Sequence, residues 1–342
     1  MPHTPSPTRY TASPPHWFRH CGQSGLQLPA LSLGGWHNFG GAKTDSQSLG
    51  ETDLHANAQA MLFTAFDHGI THIDMANNYG PPPGSAETRV GRILKQDLAA
   101  HRDELLISSK AGYDMWPGPY GDGGSRKYLH ASLDQSLKRL QLDYVDIFYS
   151  HRFDPNTPLA ETLGALDSAV RNGKALYVGL SNYTAEQTQQ ALAICKRDGL
   201  VKPIIHQPKY SLLDREIESE LIPAANDLGM GIIVYCPLAQ GLLTPKYLNT
   251  VPTDSRAKTS PFLSENAIDS TLIARLNQLN TLANSRGQTL AQMALSWVLN
   301  TPHITSAIIG ASRPQQIIEN IAAAEKTSFT HDERATIEEA LS

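Results

Sequence analysis

Four residues able to move or hold a proton lie at, or a few positions beyond, the ends of apolar runs. They are Asp74 in THIDMA, Tyr79 five positions later, Lys110 in LLISSKAG, and His151 directly after YVDIFYS. Tyr79 belongs to the stretch NNYGPPPGSAE. Consecutive prolines neither join a strand ladder nor continue a helix, so this stretch is a stiff loop placed just after a strand. A stiff loop carrying Asn77, Asn78 and Tyr79 beside Asp74 makes sense if those side chains are aimed at something. Taken singly, each residue has a plainer use: Asp74 as a turn cap, Lys110 as a solvated strand end, His151 as a packed core residue, Tyr79 as a loop aromatic. Taken together they form a chemical set.

The set excludes several chemistries. There is no Ser or Cys nucleophile paired with His, no HExxH or similar metal-ligand spacing, and only Asp74 is placed to act as an active-site carboxylate. Tyr beside Lys suggests a phenol that donates a proton. An unperturbed phenol titrates near ~10. A lysine cation at ~4 Å, in an effective dielectric of ~20, favours the phenolate by about 4 kcal/mol. That is up to ~3 pKa units, less whatever Asp74 neutralises. Asp74 would hold the ammonium, and His151 would orient a carbonyl. The set suits protonation of a carbonyl oxygen while hydride arrives at carbon, and the hydride calls for a nicotinamide cofactor. No metal is expected.

Such residues need a scaffold that brings several strand ends to one mouth. From Leu28 onward, short runs apolar on both faces alternate with longer amphipathic ones. The short runs, LPALSLGG, THIDMA, LLISSKAG, YVDIFYSH, ALYVGLSN, KPIIHQPKY, GIIVYCPLA and ITSAIIGAS, read as strands of a buried parallel sheet. Between them, RKYLHASLDQSLKRL carries Leu129, Leu133, Leu137 and Leu140 at helical spacing. Roughly eight such units predict an α/β fold of the (β/α)8 TIM barrel type. A doubly wound sheet would normally carry GxGxxG after its first strand, and that motif is absent. FRHCGQSGLQLP reads as a hairpin covering the bottom of the barrel. Further polar residues fall at strand ends: Ser181 and Asn182, then Gln207, then Tyr235.

The 342 residues are 40% hydrophobic with net charge −5 and pI near 6.2, and no basic stripe suggests nucleic acid. No apolar run approaches a membrane span. Cys21, Cys195 and Cys236 are far apart, which fits a reducing cytoplasm. Residues 1–16, rich in Pro, Ser and Thr, are expected to be a flexible tail. Residues 17–342 are expected to be a single domain, since no composition break divides them.

LSLGGWHNFG, THIDMANNYGPPPGSAE, SSKAGYDMWPGPYG, SLKRLQLDYVDIFYSHR, VGLSNY, HQPKYSLL, PLAQGLLT and GASRPQQIIEN resemble, in order, the motifs of the aldo-keto reductases. The resemblance spans about Phe18 to the end. NNYGPPPGSAE and AGYDMWPGPYG look most like the bacterial L-glyceraldehyde 3-phosphate reductases, and the potassium-channel β-subunits are more distant relatives. The resemblance implies Asp74, Tyr79, Lys110 and His151 as the catalytic set and NADPH/NADP+ as cofactor. It implies Ser181, Asn182 and Gln207 on the carboxamide, Tyr235 on the nicotinamide, and Cys236, Leu238 and Gly241 along the pyrophosphate. Lys246 and Arg256 would meet the 2′-phosphate, and Gly310, Ser312, Arg313, Gln316, Glu319 and Asn320 the adenine side. Trp36 and Asp74 would also touch the cofactor. Gly310 and Ser312 stand just before a helix, where free N–H groups favour phosphate. Trp36, Tyr79, Tyr113, Trp116 and His151 are expected to wall a substrate pocket; Arg126 and Arg152, near the same mouth, are read as surface salt-bridge partners, with contact to a substrate phosphate as the alternative.

Departures from the pattern are Gly35 before the Trp, Cys236 in place of Ser or Thr, Pro245 in place of the Gly of a GKY motif, and a long segment 40–57. The implied activity is reduction of small aldehydes, L-glyceraldehyde 3-phosphate and methylglyoxal among them. Two alternatives stand beside it: an NADPH-binding, redox-sensing regulatory subunit, and a barrel aldolase or isomerase with Lys110 as a Schiff base. Formation of a homo-oligomer is left open.

Overall fold

In a computed structural model, residues 2–14, 16–41, 51–248 and 268–342 are described. Eight strands close into one all-parallel barrel: β3 (Leu31–Gly34), β4 (His72–Asp74), β5 (Leu106–Ala111), β6 (Val145–Ser150), β7 (Ala175–Ser181), β8 (Ile205–Gln207), β9 (Gly231–Val234) and β10 (Ile304–Ile309). β10 pairs with both β9 and β3, which completes the ring. Apart from Leu106, Leu176 and Tyr177 near the starts of β5 and β7, these strands are buried on both faces, which is why their sequences lack a polar alternation.

The first hairpin, β1 (Phe18–His20) with β2 (Gln27–Pro29), is antiparallel. Its turn meets the start of β9: Gln23 N–H donates to Gly229 O, and Gly22 sits at φ +56°, with no room for a Cβ beside Gly229. Cys21, Leu26 and Leu28 pack with Ile147, Tyr149, Ile205, Ile233 and Ile308. The hairpin thus plugs the bottom of the barrel.

The helices α1 (Glu51–Asp67), α2 (Ser85–Asp97), α3 (Arg126–Leu140), α4 (Leu159–Arg171), α5 (Ala185–Asp198) and α6 (Leu221–Asp227) follow strands β3 to β8 in turn. Then come α7 (Ser270–Ser285), α8 (Leu290–Asn300), α9 (Pro314–Ile321) and α10 (His331–Leu341). In α3 the stripe Leu129, Leu133, Leu137 and Leu140 is buried, and Ser125 caps the start by accepting from Tyr128 N–H. Thr184 and Gln187 form a capping box on α5.

The N-terminal residues, expected to be a flexible tail, have fixed partners instead. His3 N–H donates to Asp97 O, its ring stacks on Phe63 at 3.9 Å, and Ser6 N–H donates to Asp67 Oδ1. Arg9 pairs with Glu104 at 2.5 Å. The polar composition that reads as a tail supplies anchors whose partners lie on α1, α2 and the turn after α2. Among the described residues, no helix is long and apolar enough to cross a membrane, and no group of three or more His, Cys, Asp or Glu could hold a metal. Part of the long segment, 42–50, lies outside the described residues.

Candidate active site

The barrel positions the four chemical residues by register. β4 ends at Asp74, which lies opposite Ser108 of β5. Two residues on, Lys110 points the same way, because side chains alternate along a strand. His151 follows the last residue of β6, its N–H bonded to Ala111 O. Tyr79 is held by its loop. Gly84 and Ala86 N–H groups both reach Tyr79 O, and Gly41 N–H reaches Pro81 O. Arg89 of α2 ties the facing loop down through Phe39 O and Gly40 O.

Lys110 is fully buried, and its ammonium has three acceptors: Asp74 Oδ2 at 2.5 Å, Met75 O at 2.7 Å and the Tyr79 hydroxyl at 3.2 Å. An ammonium has three protons, so all are used. The Tyr79 oxygen therefore accepts from Lys110, and its own proton is free to point away. Asp74 Oδ1 accepts from Ser108 Oγ at 2.7 Å and from Gln207 Nε2 at 3.1 Å. Both oxygens of this buried carboxylate are satisfied.

The expected acidification of Tyr79 by Lys110 is reversed. Burial, then the charge of Asp74, raises the phenol well above its ordinary range. The Lys110 charge is offset by Asp74, and the half-buried ring is surrounded by protein atoms that solvate a phenolate less well than water does. Burial also lowers Lys110, against the pull of Asp74. His151 is lowered well below the ordinary imidazole range by burial and then by Lys110 and Arg152, so it is neutral near pH 7. Its Nδ1 is buried without a partner among the described residues. The ring lies edge-on to Tyr113 at 4.7 Å and to Tyr79 at 6.1 Å.

These groups stand at one end of a cavity of about 900 Å³. Of the residues expected there, Trp36, Asp74, Tyr79, Tyr113, His151, Asn182, Gln207 and Tyr235 line it. So do Cys236, Leu238, Gly241, Lys246, Gly310, Ser312, Gln316, Glu319 and Asn320. The loop after β9 turns its backbone along the wall through left-handed residues at Cys236, Ala239, Gln240 and Gly241. Tyr235 OH donates to Asn182 Oδ1 at 2.8 Å, and Asn182 Nδ2 donates to His151 O at 3.0 Å, which links the strand ends across the mouth.

Several expectations need correction. Ser181 does not line the cavity. It is fully buried, and its hydroxyl donates to Gln207 O. Trp116 also stands outside the lining, its ring tilted on Tyr128 at 5.3 Å. Arg313 is exposed at the N-cap of α9 and does not line the cavity. Ser312 N–H is not free, because Gln316 Oε1 accepts it at 2.8 Å. Arg256 lies outside the described residues. Arg152 is paired with both carboxylate oxygens of Asp122, as expected of a surface salt bridge. Asn78, singled out in the stiff loop, also lines the cavity, and the sequence reading missed other lining residues, among them Asn38, Lys209, Gln240, Thr244 and Thr289. Lys209 had a signal, two positions beyond Gln207 in HQPKY.

The chain matches the aldo/keto reductase family model over residues 30–342. It is 53% identical over 336 residues to the L-glyceraldehyde 3-phosphate reductase of Escherichia coli (strain K12), which covers 94% of this chain and 91% of that relative. It is 36% identical over 313 residues to a probable voltage-gated potassium channel subunit beta of Oryza sativa subsp. japonica, 90% of each chain. A similar subunit of Arabidopsis thaliana is 35% identical over 312 residues. An eight-stranded parallel barrel, a buried Asp–Lys–Tyr chain at the end of a long cavity, and a family match over nearly the whole length agree: the chain belongs to the aldo/keto reductase family.

Proposed function

We propose that this protein is an NADPH-dependent reductase of small aldehydes, L-glyceraldehyde 3-phosphate and methylglyoxal among them. The observation that carries the reading is the hydrogen bond from Lys110 to the Tyr79 oxygen, which leaves the phenolic proton for a substrate oxygen. The residues present fit a dinucleotide. The cavity runs from Tyr79 past the left-handed loop at 236–241 to Gly310 and Asn320. A Cβ at Gly310 would meet nothing within 4 Å, so the backbone there faces open space. Asn78 Oδ1 and His151 Nδ1 are buried atoms that lack partners among the described residues.

The bound cofactor would supply hydride to the carbonyl carbon. Asn182 and Gln207 would hold it at the catalytic end, and Lys246 with Ser312 and Asn320 at the other. Tyr79 donates its proton to the carbonyl oxygen as that oxygen gains negative charge. Lys110, held in place by Asp74, keeps the phenol oriented and offsets part of the charge left on it. Neutral His151 presents its ring to the same oxygen and fixes its approach. Trp36 and Tyr113 exclude water from the reacting end. Three free thiols support action in a reducing compartment such as the cytoplasm.

The test is NADPH oxidation with L-glyceraldehyde 3-phosphate, methylglyoxal and other short aldehydes, repeated with NADH. Turnover faster with NADPH is expected. Tight NADPH binding with no turnover of any aldehyde would instead support a redox-sensing subunit, the reading favoured by the channel-subunit relatives.

A further inference from the structure

Below the cavity, inside the barrel, a row of side-chain hydrogen bonds ends on Asp74. Ser306 Oγ lies 2.7 Å from Ser32 Oγ, and Ser32 Oγ lies 2.9 Å from His72 Nδ1. His72 Nε2 lies 3.0 Å from Ser108 Oγ, and Ser108 Oγ donates to Asp74 Oδ1 at 2.7 Å. The row crosses the adjacent strands β10, β3, β4 and β5, and all five residues are buried.

The carboxylate fixes the direction of the whole row. An ionised carboxylate only accepts. Ser108 spends its one proton on Asp74, so its oxygen accepts from His72 Nε2–H. A neutral imidazole carries one N–H, so Nδ1 accepts from Ser32 Oγ–H. Ser32 has then spent its proton, and its oxygen accepts from Ser306 Oγ–H. Every donor points toward Asp74. Burial lowers His72 to about 4, which keeps the ring neutral near pH 7. The charged groups facing the ring are Asp74 on its own strand and Lys110 on β5. Its hydrogen-bond partners on β3 and β5 are serines.

We propose that His72 and Ser108 are positioning residues for the reaction: a tautomer-locked donor row clamps Asp74 and offsets part of its charge, and this sets how strongly Tyr79 holds its proton. The proposal rests on the reading of Tyr79 as the proton donor. Without the Ser108 hydroxyl, the Asp74 charge is less offset. Tyr79, raised partly by that charge, then holds its proton more tightly and becomes a weaker acid.

The test compares parent, Ser108→Ala, His72→Leu and the double variant in NADPH-dependent aldehyde reduction across pH. Ser108→Ala should lower kcat about tenfold, the size of one lost hydrogen bond to a charged group. It should leave KM and NADPH affinity within about twofold, the pattern of an interaction made in the transition state. The alkaline limb of kcat should move to higher pH, which a merely structural defect would not do. His72→Leu should act in the same direction, and the double variant should match Ser108→Ala, because His72 acts only through Ser108. An unchanged kcat and limb in Ser108→Ala, or additive losses in the double variant, would overturn the proposal. If His72→Leu does not fold, Ser108→Ala decides. Nitrogen-15 NMR of the imidazole needs no turnover: a proton on Nε2 is expected, and a proton on Nδ1 overturns the row. A parent enzyme inactive on all aldehydes refutes the reductase reading itself, whatever the tautomer.

Discussion

Lys110 Nζ stands 3.2 Å from the Tyr79 hydroxyl oxygen and 4.9 Å from the centre of its ring. The cation thus sits at the oxygen end of the phenol. It occupies an acceptor site on that oxygen and steers the phenolic proton toward the cavity. Tyr79→Phe keeps the ring and removes the proton. Turnover should fall by about 10²- to 10⁴-fold, the usual share of a general acid. NADPH binding, followed by quenching of intrinsic fluorescence, should match the parent. Aldehyde reduction at the parent rate would remove Tyr79 from this role.

The directions of the Tyr79 and His151 shifts predict the pH profile. Tyr79 holds its proton to well above its usual range, and His151 stays neutral to well below its own. Both groups are therefore in their working form across the interval between their ordinary values. Reduction measured as kcat should be flat from about pH 6.5 to about pH 10. Alcohol oxidation needs a proton acceptor at Tyr79 and should rise with pH instead. A break in kcat for reduction near pH 8 would contradict this assignment.

Two fully buried imidazoles predict acid lability. His72 and His206 are each lowered to about 4, in both cases mainly by burial. In the unfolded chain each takes up a proton below about pH 6.5, while the folded protein resists until about pH 4. The stability they contribute is complete above pH 6.5 and is lost as pH falls through that window, of the order of 3 kcal/mol apiece. Both ring nitrogens of His206 lack partners among the described residues. His206→Gln should therefore flatten the pH dependence of urea unfolding between pH 6.5 and 4. A slope unchanged in that variant would mean that other groups carry it.

Gly310 separates folding from binding. A Cβ there meets nothing within 4 Å, and the residue lines the cavity. Gly310→Val should leave stability within about 0.5 kcal/mol, as for an uncrowded surface site. The added side chain takes space expected for the dinucleotide, so NADPH affinity should fall by more than about tenfold, 1.4 kcal/mol or above. Calorimetric titration alongside thermal unfolding checks both. Undiminished NADPH binding would move the cofactor away from this wall.

The candidate catalytic residues were legible because three of them sit at or next to strand ends and the fourth, Tyr79, in the loop that follows one. An apolar run that stops on Asp74, Lys110 or His151 is a local pattern, and a parallel barrel sends such ends to one face whatever the details. The same holds for the α3 stripe and for the hairpin at Cys21–Leu26, whose signals lie within a dozen residues. What the sequence could not settle is what each polar atom is bonded to, and how far from water. Ser32 and Ser306 are 274 positions apart yet share a hydrogen bond. Ser181 turns its hydroxyl onto Gln207 O, and Gln316 takes the Ser312 N–H that a phosphate was expected to find free. The acidity of Tyr79 changed sign for the same reason: counting charges favours the phenolate, but burial penalises it and Asp74 offsets the lysine. Short-range periodicity determined the elements and their order. Only the closed barrel decided desolvation and partners, because both depend on atoms distant along the chain.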